Sequence, residues 1–179
     1  MTWTQTYTGH QFDIFNPDPE AIHIADIAHS LALTNRFGGH TVRPYSVAQH
    51  SVLVSKMVPE QYALHGLLHD AAEAYIGDLP APWKLLVQMA GQGIDEIEAK
   101  IDEAIRLRFG LLGEAPVEVW QQDRLACAAE RLALMPSGHD WGELDEIAEA
   151  NRDILPKIER MTWQWAEQEF LQRFKELTA

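Results

Sequence analysis

The feature that most constrains this chain is a set of ionisable side chains inside its most apolar segment. From Tyr62 to Ile76 the residues read as one long helix, apolar nearly all round. Leu64, Leu67, Leu68, Ala71 and Tyr75 share one face, and Ala63, Ala72 and Ala74 fill much of the rest. Such a helix belongs at the centre of a fold. Yet it contains His69, Asp70 and Glu73, spaced so that all three can face one cavity. No lysine or arginine is near in sequence to neutralise the carboxylates. Burying a charge is costly unless it is paired or bound to metal. A divalent cation would neutralise both carboxylates and use the imidazole at once.

Two other polar residues sit on apolar faces. His50 lies between Val47 and Val54 on the inner stripe of a helix that Ser46 can cap and that also carries Met57. Most lone histidines in such places are hydrogen-bonded core residues, so His50 alone decides nothing. Asp123 shares a stripe with Trp120, Cys127, Arg131 and Leu134 in a helix expected from Val117 to Met135 and stopped by Pro136-Ser137-Gly138. There an ion pair with Arg124 or Arg131 competes evenly with a metal role. Taken together, His50, His69, Asp70 and Asp123 supply two imidazoles and two carboxylates. This mixed N/O set suits one divalent transition metal (Co, Mn, Zn or Fe) and is neither a thiolate site nor an all-oxygen calcium site. Open positions on such a metal can hold a water and a phosphate oxygen.

The remaining pattern is an all-α, single-domain helical bundle. Residues 1–20 form an N-terminal arm or short β-hairpin: Trp3 to Tyr7 alternates, Thr8-Gly9 turns, Gln11 to Phe15 returns, and Asn16-Pro17-Asp18-Pro19 breaks the chain. Helices are expected on Ile24, Ile27, Ala28 and Leu31, from Ile94 to Phe109, and from about Pro156 to Leu177, with Gly77 to Pro82 as a rigid loop. The main domain spans 21–179. A hydrophobic content of 46% over 179 residues suffices for one core. No apolar run reaches the ~18–20 residues that cross a bilayer, and Met1 to Gln5 has neither the basic nor the apolar region of a signal peptide. With Cys127 as its one cysteine, the chain is expected in a reducing cytoplasm. Cys127 itself, among Leu125, Ala126, Ala128 and Ala129, reads as a core residue and not as a nucleophile. The balance of 14 Lys+Arg against 27 Asp+Glu, net −13, argues against nucleic-acid polymers and anionic membranes as partners. It leaves room for a small phosphorylated substrate beside a cation.

The ordered blocks Asn35-Arg36-Phe37, Val47-Ala48-Gln49-His50-Ser51, Leu68-His69-Asp70-Ala71-Ala72-Glu73, Gly77 to Lys84, and Asp123-Arg124-Leu125 resemble the HD superfamily of metal-dependent phosphohydrolases. They are most similar to its compact subfamily of deoxynucleoside 5′-monophosphate nucleotidases and phage dATP triphosphohydrolases, over roughly Ile24 to Arg131. The resemblance implies an HD-type helical bundle in which His50, His69, Asp70 and Asp123 ligate one metal. It implies Glu73 and Asp78 as the acid/base pair, Arg36 and Lys84 as phosphate contacts, and Phe37 against the sugar, where the nucleotidases commonly carry tryptophan. A homo-oligomer, dimer or larger, is implied in the same way. His65 is a minor candidate for a supporting ligand, and His40 for a phosphate contact. His139-Asp140 is a second His-Asp pair, expected in a loop. Trp163, Trp165 and Phe170 read as packing or an oligomer interface.

The expected activity is hydrolysis of a deoxynucleoside 5′-monophosphate to nucleoside and phosphate. The alternatives are a dNTP triphosphohydrolase releasing triphosphate and a non-catalytic, metal-containing nucleotide sensor.

Overall fold

The alternating N-terminal residues close into an antiparallel hairpin, β1 (Trp3–Gln5) and β2 (Gln11–Asp13), with Thr4 opposite Phe12. A computed structural model describes residues 2–91 and 93–179 of the protein. The hairpin is anchored to the helices. Phe12 is fully buried in the helical core and stacks on Tyr75 with ring centroids 3.8 Å apart. Asp26, in the first turn of the first helix, accepts hydrogen bonds from the Thr8 backbone N–H (2.7 Å) and hydroxyl (2.9 Å).

The rest is helical, and the fold is all-α. The helices are α1 (Ile24–Leu33), α2 (Val47–Met57), α3 (Ala63–Leu68), α4 (Glu73–Ile76), α5 (Ala81–Met89), α6 (Ile94–Phe109), α7 (Val117–Leu134), α8 (Glu143–Ala150) and α9 (Trp163–Thr178). Among the described residues no helix is long and apolar enough to cross a membrane. The main core gathers Phe12, Ile22, Ile27, Leu31, Val47, Leu67, Ile101, Ile105 and Phe170. A smaller cluster of Val54, Val58, Ala63, Val119 and Ala126 joins α2, α3 and α7.

Local chemistry sets where α2 and α3 meet. Ser46 accepts from the Gln49 N–H (3.3 Å) while the Gln49 side chain accepts from the Ser46 N–H (3.2 Å), a reciprocal cap that fixes the start of α2. Gly66 lets the helices approach closely: a Cβ there would meet the Ser55 Cα and a Val58 methyl at 3.1 Å. That approach brings His50 on α2 opposite His69 at the end of α3.

Four expectations need correction. The segment from Tyr62 to Ile76 is not one continuous α-helix: His69 to Ala72 form turns between α3 and α4. There the backbone bonds run one residue short, Ala71 N–H to Leu68 O at 3.0 Å and Glu73 N–H to Asp70 O at 3.1 Å. The His69 ring takes the Gly66 carbonyl instead (2.8 Å), the acceptor that a regular α-turn would give to Asp70. The last helix begins at Trp163, capped by Thr162, and not near Pro156. The loop from Gly77 yields to α5 already at Ala81, because a proline in a helix's first turn costs no hydrogen bond. Finally, Trp120 is 61% exposed. The inner face of α7 instead carries Val119, Ala126, Glu130 and Leu134. Helix α8 lay outside the sequence expectation altogether.

Candidate metal centre

Helices α2 and α7 and the turn after α3 converge on a small polar volume. His50 is fully buried on α2, in line with Val47, Ser51 and Val54. His69 and Asp70 sit in the turn after α3, and Asp123 on α7. The His50 Nε2 lies 3.0 Å from Asp123 Oδ1, 3.2 Å from His69 Nε2 and 3.6 Å from Asp70 Oδ2. The His69 Nε2 lies 3.3 Å from Asp70 Oδ2 and 3.8 Å from Asp123 Oδ1. Donors bonded at ~2.0–2.2 Å to one metal stand about 3.0–3.5 Å apart along the edges of its coordination polyhedron. His50 stands at that spacing from Asp123 and from His69, and His69 from Asp70, while the His50–Asp70 and His69–Asp123 separations are longer.

The other ring nitrogens bond outward. The His50 Nδ1 is 2.7 Å from Glu130 Oε1, and the His69 Nδ1 is 2.8 Å from the Gly66 carbonyl. Both partners are acceptors, so each Nδ1 carries the hydrogen. The Nε2 atoms are thereby turned inward, toward each other and toward two carboxylates. The carboxylates favour positive charge between them, and orientation of both rings by outer acceptors is the usual support of a metal site. The residues fit a divalent metal. The local field has the same sign: burial and Arg36 press the His50 imidazole toward neutrality, yet Glu130 and Asp123 prevail and hold it up to about 10. Burial would raise the Asp123 carboxyl, but hydrogen bonds from His50 and His69 hold it far below its ordinary range. Asp70 is likewise lowered, by His69, His50 and Arg36 against burial.

The competing ion-pair assignment for Asp123 fails on geometry. Arg124 turns to Glu143, and Arg131 turns to Asp145 on α8 (3.1 Å) and to the His139 carbonyl (2.8 Å).

Arg36 is buried behind the ligands as a three-way clamp. Its Nε donates to Glu130 Oε2 (2.9 Å), one terminal nitrogen to Asp70 Oδ2 (3.4 Å), and the other to the Cys127 sulfur (2.9 Å). Cys127 also reaches Asp123 Oδ1 at 3.5 Å and lies within the same group of potential donors as His50 and Asp123. Phe37 follows with φ 55° and ψ 31°, the one non-glycine residue at positive φ among those described. A left-handed phenylalanine costs about 1–2 kcal/mol. It is held there with its ring at 5.6 Å under the Arg36 guanidinium and edge-on to Trp141 at 5.9 Å.

Glu73 is 6% exposed, and its Oε2 has no hydrogen-bond partner among the described residues. Burial first, then Asp70 and Asp78, push its carboxyl up to about 9. Burial also raises Asp78; Arg36 opposes and Asp70 adds to the rise. Lys84 on α5 is bound by both Glu98 oxygens, at 2.9 and 3.2 Å.

His65 lies outside the cluster. It lines a cavity of about 60 Å³ with His69, Asp102 and Arg106. His40 is exposed, and His139-Asp140 lies in a loop before α8, where Asp140 caps the Gly142 N–H (2.7 Å). Trp163 and Trp165 are exposed, and Phe170 is in the core.

Sequence reasoning missed Glu130, Tyr45 and Trp141. Glu130 is fully buried and bonded by His50, Arg36 and the Tyr45 hydroxyl. Its signal was available, because Glu130 stands two helical turns after Asp123 on the same face. Tyr45 and Trp141 come from irregular segments and carried no periodic signal.

No protein-family model matches the chain. It is 39% identical over 148 residues to an uncharacterized Escherichia coli K12 protein, YfdR, covering 82% of this chain and 81% of that one. It is also 36% identical over 156 residues to an uncharacterized Rhodobacter capsulatus protein, RCAP_rcc00048, covering 81% and 78% of the two chains. Identity of that level across most of both lengths makes the chain a member of the family that contains YfdR and RCAP_rcc00048.

Proposed function

We propose that this protein is a metal-dependent phosphohydrolase of the HD type that cleaves the 5′-phosphoester of deoxynucleoside monophosphates. The observation that carries the reading is the convergence of two Nε2 atoms and two carboxylates while both Nδ1 atoms face outer acceptors. A divalent metal bound there supplies a Lewis acid that polarises a phosphate and acidifies water.

The chain's own groups then have distinct tasks. Arg36 balances the ligand carboxylates and, through the arm near Asp70, meets charge growing on the phosphate oxygens. Glu73, buried and repelled by two carboxylates, holds a proton and donates it to the leaving 5′ oxygen. Asp78, less buried, orients the attacking water. Phe37, fixed by Trp141, forms the wall against the sugar. Both basic groups near the site already have anionic partners, Arg36 with Glu130 and Asp70 and Lys84 with Glu98. Little positive charge is left for a β- and γ-phosphate, which favours a monophosphate over a triphosphate.

The test is to load the protein with Co or Mn and offer dNMPs, NMPs and dNTPs, with Asp70→Ala as the blank. Nucleoside and phosphate from dNMPs are expected. Intact triphosphate released from a dNTP would replace this reading with the triphosphohydrolase. Stoichiometric metal with no turnover on any of them would replace it with a sensor.

A further inference from the structure

Asp123 and Cys127 stand one turn apart on α7, at the spacing that makes side chains neighbours on a helix. Among the described residues the potential metal donors fall into two overlapping groups, each with its ligand atoms within 4.8 Å of one another. His50, His69 and Asp70 form one; His50, Asp123 and Cys127 form the other. The four-ligand centre described above uses the first group and two members of the second, and leaves out the sulfur.

That sulfur lies where a ligand would lie. It is 3.5 Å from Asp123 Oδ1. A sulfur at ~2.3 Å and an oxygen at ~2.0–2.2 Å from one metal stand about 3.1–3.7 Å apart. The same oxygen is 3.0 Å from His50 Nε2 but 3.8 Å from His69 Nε2. Asp123 therefore leans toward His50 and Cys127 and away from His69. The sulfur also has a counter-charge in place, because a terminal nitrogen of the buried Arg36 donates to it at 2.9 Å. A sulfur that accepts one N–H keeps electron pairs for a metal. Ala126, Ala128 and Ala129 beside it are buried, whereas Cys127 is only half-buried. Burial raises the thiol and Arg36 opposes the rise; a coordinating metal deprotonates such a thiol outright.

We propose that Cys127 is a sulfur ligand of this metal centre, giving a His/Asp/Cys donor set that selects Zn, Fe or Co over Mn and Mg. The inference rests on the metal centre of the phosphohydrolase reading and ranks the metals it takes. On binding, the metal–sulfur bond forms as the S–H bond breaks, and the proton leaves to solvent. Arg36 stays on the sulfur and balances its charge. Thiolate is a softer donor than carboxylate or imidazole, so it adds least for hard cations.

The chain has one cysteine, so a thiolate–metal signature can come from no other residue. The test is to load the protein with Co(II), count the bound metal by elemental analysis, and record the near-ultraviolet absorption of thiolate-to-cobalt charge transfer. Absorption that saturates at one Co per chain is expected. Cys127→Ser is expected to abolish it with Co still bound; a thermal melt checks the variant's fold. In the variant Zn affinity should fall about ten-fold or more, the least seen for residues that merely support a ligand, while Mn affinity holds. Both are read by competition with a chelator. One bound Co per chain without charge-transfer absorption overturns the proposal and leaves the phosphohydrolase reading standing. Failure to bind Co overturns both. Equal losses of Zn and Mn affinity in Cys127→Ser also overturn the proposal, because the cysteine would then shape the site without touching the metal.

Discussion

Two groups of buried or half-buried carboxylates lie in this molecule and titrate in opposite directions. Asp70, Asp123 and Glu130 are held below their ordinary range; Glu73, Asp78 and Asp102 are held above it. Burial does not separate them. Glu130 is the most enclosed of all at 0% exposure, and it is low; Glu73, at 6%, is high. What separates them is the neighbour. The low group touches His50, His69 or Arg36 directly. Glu73 has an oxygen with no partner and sees two other carboxylates. Where a cation is within bonding distance it outweighs desolvation, and where none is, desolvation wins. The first group is thus arranged to hold positive charge and the second to hold protons.

Substitutions can break this division. The largest effect is expected from Asp123→Ala, which removes a ligand from the low group. Metal content should fall below one per chain and turnover by roughly a thousand-fold or more, read by elemental analysis and dNMP hydrolysis together. Retention of stoichiometric metal would show that Asp123 belongs to neither task. Glu73→Gln, in the high group, should leave metal content intact and cut kcat by ~10²–10⁴, the range of a lost proton donor. A parallel loss of metal would move Glu73 into the ligand set.

Glu130→Gln keeps the shape behind His50 but removes the charge. Metal affinity should drop about 10- to 100-fold, as for other residues that orient a ligand histidine, measured by competition with a chelator. An unchanged affinity would reduce Glu130 to a partner of Arg36 alone.

The smallest effect concerns stability and pH. Burial first, then Glu98, raise Asp102 from 3.8 to about 7 against the pull of Arg106. Between those values the folded chain binds more protons than the unfolded chain, so this residue's contribution falls as pH rises through the window and is level above it. Asp102→Asn should flatten that part of the profile, seen as a gap between variant and parent urea midpoints that widens from pH 4.5 to 7 and is constant beyond. A gap independent of pH would remove Asp102 from the high group.

Much of the fold that carries this division is legible in the sequence. The Ile94–Phe109 helix emerged at its observed bounds because its apolar residues recur every three or four positions and Gly110 ends it in the left-handed region. The hairpin was legible from alternation and Thr8-Gly9. His50, His69, Asp70 and Asp123 stood out as polar groups on apolar faces. Helix α5 was hidden by prolines that punctuate a loop and open a helix equally well. Helix α8 has only Ala148 buried and so offers a weak apolar face. The turn at His69 was hidden because every residue around it favours a helix; the break is made by an imidazole that takes the Gly66 carbonyl, a competition no propensity contains.

By itself, then, the sequence determined that the chain is helical and that polar groups lie on its apolar faces, because periodicity and the cost of buried charge are local and additive along a helix; that His50, His69, Asp70 and Asp123 form one set was implied by the family resemblance. Only the tertiary structure decided which partners those groups have. Arg36 closes on Glu130 across 94 residues and His50 on Glu130 across 80. Contacts of that separation depend on how α2, α3 and α7 pack, and it is those contacts that set whether a buried carboxylate waits for a cation or keeps a proton.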